Sequence, residues 1–432
     1  MPEHAPESGQ SSCAIWLVNH YAGAPDRPTG SRHFDFGRLL ARRGRSVTIF
    51  SAGFDHVSGR EERLQWWQLY RIGRIEGVTF VWLRTVPYRG NSWRRQLNML
   101  SFLIAFLVVQ TRFPKPDIVI GSTVHPFAAL GAWAAARSRG ARYLFEVRDL
   151  WPRTLVDLGA LRSGSAGERL LNAMESFLVR RASNVITLLP GIRDYLRERG
   201  LPVGHVVYLP NGVDLDAFDA ASVVRPPVVG PASDAIATIR RYRDQGRVVF
   251  GYVGAFGRVN RVDLLVRAAA EADARAPGRV GLVLVGDGPE RPNVEREALA
   301  TSAVAVCAAI PKWSVPSVLG ALDGAVVHAT ATPVYRYGIS FNKLFEYMAA
   351  GLPVAFACSS AYDPVATTGA GISIDPDDVG SMATALLSLA EAGPAERARM
   401  GAAGRAFVEL DHDLARLATT LDELVGCDRT FA

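Results

Sequence analysis

RVVFGYVGAFGRVNRVDLL, residues 247–265, is an apolar run of strand length, then a glycine-spaced turn, then the opening of a helical pattern. A strand that is apolar along its whole length is covered on both faces, as in a parallel sheet between helices. The unit recurs. Downstream come GLVLVG (281–286), AVAVCA (303–308), GAVVHA (324–329) and PVAFAC (353–358). Upstream stand CAIWLV (13–18), SVTIF (46–50), VTFVWLR (78–84), DIVIG (117–121), RYLFEV (142–147) and NVITL (184–188), with helical stretches such as 33–43 and 126–139 between them. Alternation of this kind predicts α/β architecture, with two Rossmann-like doubly wound domains in succession. Residues 13–220 form the first and 246–405 the second. The Pro-rich passage ASVVRPPVVGPAS (221–233) opens a linker over 221–245.

A chain of 432 residues is too long for one ordinary core and suits two domains. Residues 1–12 are polar, without the basic and apolar regions of a signal peptide, and read as a disordered tail. The four cysteines (Cys13, Cys307, Cys358, Cys427) lack metal-like spacing and read as reduced thiols of a cytoplasmic protein. Charge is uneven: residues 1–220 hold 28 Lys+Arg against 19 Asp+Glu, and residues 221–432 hold 20 against 23. The first half therefore suits an anionic partner, a membrane surface or a phosphorylated acceptor; no nucleic-acid recognition module is present. Lysine is rare, at positions 115, 312 and 343 alone.

NSWRRQLNMLSFLIAFLVVQTRFP (91–114) breaks the pattern. Its apolar run, Leu97 to Val109, is shorter than the roughly 20 residues that cross a bilayer. Trp93, Arg94 and Arg95 flank it as in a helix lying in a membrane interface. A buried crossover helix of the first sheet is the plainer reading, and both stand.

In doubly wound sheets ligands bind beyond the carboxyl ends of strands. The turn at Gly254 and Gly257 is one such place, with Arg258 or Arg261 to neutralise phosphate; LVGDGPE (284–290), with Gly286 and Gly288, is a second, and the 308–320 loop a third. The fourth is YGISFNKLFEYMAAGLPV (337–354). A helix starting near Asn342 directs its first-turn amides outward and places Lys343 and Glu346 on one face. Lysine suits a diphosphate, and a carboxylate accepts from both hydroxyls of a ribose. An ordinary ion pair between the two residues explains the same spacing.

Together these pieces resemble retaining, family-4 GT-B glycosyltransferases. LPNGVDLDAF (209–218), LVGDGPER (284–291), VPSVLGALDGAV (315–326) and NKLFEYMAAGLPV (342–354) match their donor domain. PTGSRHFDFGRLLARRGRSVTIF (28–50) and FEVRDLWPRTLVDLG (145–159) resemble a bacterial subgroup that builds cell-envelope polysaccharides, often on lipid-linked acceptors.

The resemblance implies a donor held by the second domain in a cleft facing the first, with 406–432 as a helical segment returning toward the first domain. Glu346 would bind the ribose, Lys343 the diphosphate, the glycine turns with Asn342 the same nucleotide, and the loop of Ile310 and Lys312 the base. His125, in GSTVHPF, matches the histidine near the reacting sugar; capping of the following helix is the other reading. Gly30 and Ser31 match a loop close to the diphosphate or acceptor. Glu146, Arg148 and Asp149 are acceptor-side candidates, with Asp149 equally a helix cap.

There are departures. Where the family often carries a glutamate eight positions before Glu346, this chain has Gly338, or Tyr335 if the loop is longer. The family's arginine and lysine after the strand align with Ala255 and Asn260, and the first loop has a single glycine. Asp214–Leu215–Asp216 fits an Asp-x-Asp metal pattern but lies in the NGVD segment, so no metal role is assigned.

The implied activity is metal-independent transfer of a sugar, with retention, from a UDP-type nucleotide sugar to a saccharide or lipid-linked hydroxyl. No cofactor is expected beyond this co-substrate, and the expected place is the cytoplasm, at the inner face of the cell membrane. Two alternatives remain open: a GT-B nucleotide-sugar 2-epimerase, which would convert the donor without an acceptor, and a non-catalytic nucleotide-sugar-binding subunit of an envelope assembly complex.

Overall fold

A computed structural model describes residues 13–25, 31–56, 58–90, 93–123, 125–223 and 230–426. The tail at 1–12 and the candidate Gly30 lie outside them. The chain divides into two compact units. The first comprises the described residues up to Leu188, with Leu196–Leu209 and those from Ala418 onward; the second comprises Leu189–Tyr195 and Pro210–Leu417.

The first unit holds an eight-stranded sheet. Its order is Val206–Tyr208, Asn184–Thr187, Arg142–Val147, Ile118–Ser122, Ala14–Val18, Ser46–Ala52, Val78–Leu83, Tyr70–Ile75. All neighbours pair in parallel except the last two. The strand order reverses between Ala14–Val18 and Ile118–Ser122, so the switch point opens beyond Val18 and Ser122. The second unit has six parallel strands in the order Val304–Cys307, Val280–Val285, Val248–Val253, Gly324–His328, Val354–Ala357, Gly371–Ile374. Its switch point lies beyond Val253 and His328. Both central strand sets are buried on two faces, with Ile15, Val119, Val249 and Val327 fully enclosed.

The strand runs predicted from sequence form strands, shifted by a residue or two at their ends. Three further sheet strands and the small hairpin Phe54–Asp55/Arg60–Glu61 were not predicted.

The linker expected over 221–245 is largely helical. Leu215–Val223 runs into its start and Pro231–Asp244 fills its second part. Proline at the first helical position loses no hydrogen bond, and Ala235, Ile239 and Tyr242 bury in the second unit's core. The chain leaves the first unit at Leu209, earlier than expected, because Val213 bridges Asp413 and Gly212 packs on His412. Of the 406–432 segment, residues to Leu417 belong to the second unit and the described remainder to the first, where Arg45 binds Asp422 at 2.7 Å.

Cys13 is disulfide-bonded to a partner outside the described residues, which corrects the expectation of four reduced thiols. The Cys13 sulfur lies 3.6 Å from the carbonyl oxygen of Val425. Cys307 and Cys358 are free. No described helix is long and apolar enough to cross a membrane.

Candidate functional site

The helix Asn342–Ala349 turns Leu344, Phe345, Tyr347 and Met348 inward. Tyr347 fixes it at the switch point of the second unit: its hydroxyl accepts from the Val253 amide (2.7 Å) and donates to the Val253 carbonyl (2.9 Å). Phe345 stacks on His412 at 3.7 Å, and the His412 ring meets the Asn211 carbonyl at 2.7 Å. Asn211 in turn donates to Ser340 Oγ at 2.9 Å, just before the helix. The helix N-terminus has no side-chain cap of its own.

From this base Lys343 and Glu346 point to different partners, so the simple ion pair between them is not made. The Lys343 ammonium donates to Tyr252 Oη and Asn260 Oδ1, both at 2.8 Å, and lies 4.6 Å from the Tyr252 ring centroid. Tyr252 Oη and Asn260 Nδ2 donate onward to the Ala255 carbonyl (2.7 and 2.9 Å). Among the described residues no carboxylate pairs with Lys343. Burial among neutral groups lowers its pKa to about 7. A buried cation coordinated only by dipoles is a poor arrangement for an empty protein and a good one for a dianionic ligand. Glu346 instead pairs with Lys312, an exposed residue of the short turn Lys312–Ser314.

Sequence reading missed Tyr252, which looks like core in an apolar strand and is wholly buried. Asn260 was visible only as the place where the resemblance expects lysine. Asn342 opens the helix at the surface, and Ile310 packs half-buried against the core.

The glycine turns are built mainly for one another. A Cβ on Gly286 would stand 1.9 Å from Gly254 O, and one on Gly288 2.6 Å from Phe256 O. The Gly254 amide bonds Val285 O (3.0 Å) and the Phe256 amide bonds Asp287 O (2.8 Å). Those two amides are therefore spent on packing. Gly254 also faces Lys343 Cε, and a Cβ on Gly257 would meet Asn260 Nδ2 at 3.5 Å.

The two arginine candidates separate. Arg261 is held by Asp263 (Nε–Oδ1 3.0 Å, NH2–Oδ2 3.0 Å) and approaches Asp377 at 3.8 Å. Arg258 is 90% exposed and, among the described residues, pairs with Glu290 at 3.4 Å. Gly338, at φ +108°, would drive a Cβ to 2.5 Å from Pro190, so no carboxylate fits there. Tyr335 packs edge-on against Phe341.

In the first unit the strand ends carry a different arrangement. Glu146 Oε1 accepts from Arg32 Nε at 2.9 Å; Oε2 accepts from Ser122 Oγ at 2.5 Å and meets His33 Nε2 at 2.8 Å. Arg32 also donates to the Leu209 carbonyl at 2.8 Å. Burial alone would raise the Glu146 carboxyl, but Arg32, His33 and Arg148 together hold it well below the usual range. Both of its oxygens are engaged by these neighbours within the first unit. Arg148 is half-buried and Asp149 exposed beside it.

His125 does precede the helix Pro126–Arg139, but its side chain makes no cap. Its Nε2 lies 2.9 Å from His20 Nδ1 at the switch point, and the ring meets Tyr21 edge-on. Burial, then the nearby Arg95, lowers its pKa to about 3, so the imidazole is neutral. His20, stacked on Phe102, was not singled out from sequence. Ser31 leads into the helix Arg32–Arg42. Asp214 Oδ1 caps the helix Leu215–Val223 by accepting from the Ala217 amide (3.1 Å). No group of three or more metal-ligating side chains occurs among the described residues.

Residues 32–212 match the model of the glycosyl transferase 4-like domain, and 247–392 match glycosyl transferases group 1. The chain is a GT-B glycosyltransferase of the family-4 type. This glycosyltransferase is 25% identical over 252 residues to a GDP-mannose-dependent monoacylated alpha-(1-6)-phosphatidylinositol monomannoside mannosyltransferase of Corynebacterium glutamicum. That match covers 52% of the chain and 62% of the relative. In fold it resembles sucrose-phosphate synthase of Thermosynechococcus elongatus (TM-score 0.72, 19% identity, 95% of this chain and 98% of that one). It also resembles Anabaena HepE in complex with UDP and glucose (TM-score 0.66, 15% identity, 96% and 99%).

Proposed function

We propose that this glycosyltransferase moves a sugar, with retention and without a metal ion, from a UDP-sugar to a hydroxyl of a lipid-linked or saccharide acceptor in cell-envelope polysaccharide synthesis, at the inner face of the cell membrane. The observation that carries the donor half is the Lys343 ammonium, held by Tyr252 and Asn260 with no carboxylate beside it. Such a cation stabilises the negative charge that gathers on a leaving diphosphate. Glu346, on the same helix face, receives the ribose once Lys312 moves aside. Arg258, exposed and held only loosely by Glu290, is the second cation for the phosphates; Arg261 is already neutralised.

Neutral His125, backed by His20, offers a hydrogen bond to a sugar hydroxyl. With Glu146 committed and position 338 closed to side chains, no carboxylate is assigned as a covalent nucleophile. In this reading the acceptor attacks from the leaving-group side and the departing phosphate takes the proton. The acceptor-side groups are Ser31, Arg148 and Asp149. Gly30, outside the described residues, keeps its place in the proposal by resemblance alone.

One observation favours a second donor: the relative from C. glutamicum uses GDP-mannose. A thermal-shift screen of UDP-, GDP- and ADP-sugars separates the two, since a ligand bound only by the folded state raises the melting point. The reading predicts a shift with UDP-sugars that falls in Glu346→Ala; an unchanged shift in that variant removes the ribose assignment. Anomeric NMR of the product tests retention. Donor incubated alone distinguishes transfer from epimerisation, and slow acceptor-free hydrolysis that disappears in His125→Ala argues against a non-catalytic binding subunit.

A further inference from the structure

The helix Arg94–Val109 has two apolar faces, and among the described residues one is buried and the other exposed. Met99, Phe102, Ala105, Phe106 and Val109 are buried. At the helical repeat on the opposite side stand Leu97, Leu100, Ile104 (56% exposed) and Val108, in line with Trp93 (69% exposed) just before the first turn. A second apolar group, Trp66 (83% exposed), Trp67 and Leu69, lies on the segment before the strand Tyr70–Ile75.

Residues 84–86 join the two. Arg84 donates from its backbone to Leu69 O (2.9 Å) and from Nε to Gln68 O (2.5 Å). Val86 N donates to Ser101 Oγ at 2.9 Å, and Asn98 Nδ2 donates to Val86 O at 2.8 Å. The tryptophan segment and the helix are thus neighbours in one unit. Between positions 63 and 115 the chain carries nine Lys+Arg and a single acid, Glu76, which is paired with Arg42. Arg89 precedes the helix, Arg94 opens it and Arg112 follows it, all exposed.

We infer that this apolar stripe, with Trp66 and Trp67 and the surrounding arginines, is the surface by which the first unit seats on an anionic phospholipid bilayer. Aliphatic side chains along a helix and paired indoles gain from entering the acyl boundary, and the arginines gain from anionic headgroups. A nucleic acid would reward the arginines but not Ile104 or Val108. The sequence alone left a buried helix and an interfacial helix as rivals; the two descriptions apply to opposite faces of one element.

The inference shares with the proposed reaction only the membrane, so its test uses no donor or acceptor. The full chain is sedimented with vesicles of phosphatidylcholine alone and of phosphatidylcholine with phosphatidylglycerol. Binding to the anionic vesicles is expected, at least tenfold weaker to neutral ones and falling with salt. Trp66→Ser with Trp67→Ser should reduce it about tenfold, as should Leu100→Gln with Ile104→Gln. Arg94→Glu with Arg112→Glu, at exposed positions, should abolish it while the far-UV circular dichroism and melting point stay unchanged. Equal binding by all variants overturns the inference. So does an absence of vesicle binding together with a concentration-dependent dimer, in analytical ultracentrifugation, that the same substitutions dissolve.

Discussion

Each unit gathers charged side chains at the switch point of its sheet, and the two gatherings are built on opposite principles. In the first, Arg32, His33 and Ser122 all bind the Glu146 carboxylate behind a closed surface, with His33 Nδ1 left over. In the second, among the described residues, the partners of Lys343 are neutral and that of Glu346 is an exposed lysine. A buried network whose members are all paired holds strand ends in place. A cation held by dipoles and a carboxylate held by a displaceable side chain retain capacity for something else. Proximity to a strand end therefore does not mark a ligand site in this protein; the unspent hydrogen-bonding capacity does.

The sharpest way to break this contrast is to remove one charge from each. Glu146→Ala leaves Arg32 buried without its anion and should cost on the order of 3–5 kcal/mol in stability, read by urea denaturation. A small loss would mean that the first cluster is as exchangeable as the second. Lys343→Met breaks no ion pair and relieves a desolvated cation, so its melting point should hold or rise. Its affinity for a nucleotide diphosphate should nevertheless fall about a hundredfold, the scale of a lost charge-assisted contact of roughly 2–3 kcal/mol.

The lysine also has a pH signature. In the empty protein its pKa is depressed to about 7, so above that pH the folded state has lost a proton the unfolded chain keeps. Stability from this group accordingly rises with pH from about 7 upward, toward the ordinary lysine range. Diphosphate binding restores the ammonium and takes up a proton. Affinity should fall by up to about tenfold per pH unit above 7, and calorimetry in buffers of different ionisation enthalpy should register the uptake.

Smaller effects refine the picture. Lys312→Ala frees Glu346 and should strengthen nucleotide binding a few-fold; weaker binding would make Lys312 a ligand contact instead. Arg258→Ala should weaken binding a few-fold in low salt only, whereas Arg261→Ala should leave binding alone and lower stability by about 1 kcal/mol through loss of the Asp263 pair.

Most of the architecture was legible because the central strands are buried on both faces and read as unbroken apolar runs. The strands that escaped are the ones tertiary pairing imposes. Tyr70–Ile75 carries Arg71 and Arg74 at an antiparallel edge, Val206–Tyr208 is three residues long, and Gly371–Ile374 is a half-buried edge. The second linker helix was masked by its prolines. At the site, Lys343 and Glu346 were legible because a helical period puts both on one face. Their partners were not, since Tyr252 comes from a strand about 90 residues upstream and Lys312 from another loop. For Glu146 the position at a strand end is visible in sequence, and the three groups that bind it, Arg32, His33 and Ser122, are not.

The interlocking of the two glycine turns has a consequence for how this enzyme can be altered. The obstacle at Gly286 is the main chain of Gly254, which cannot rotate out of the way as a side chain would. Neither loop can be lengthened, decorated or transplanted by itself. A chimera that borrows a new donor preference from a relative must import both turns as one piece, and substitutions drifting into one should be accompanied by compensating change in the other.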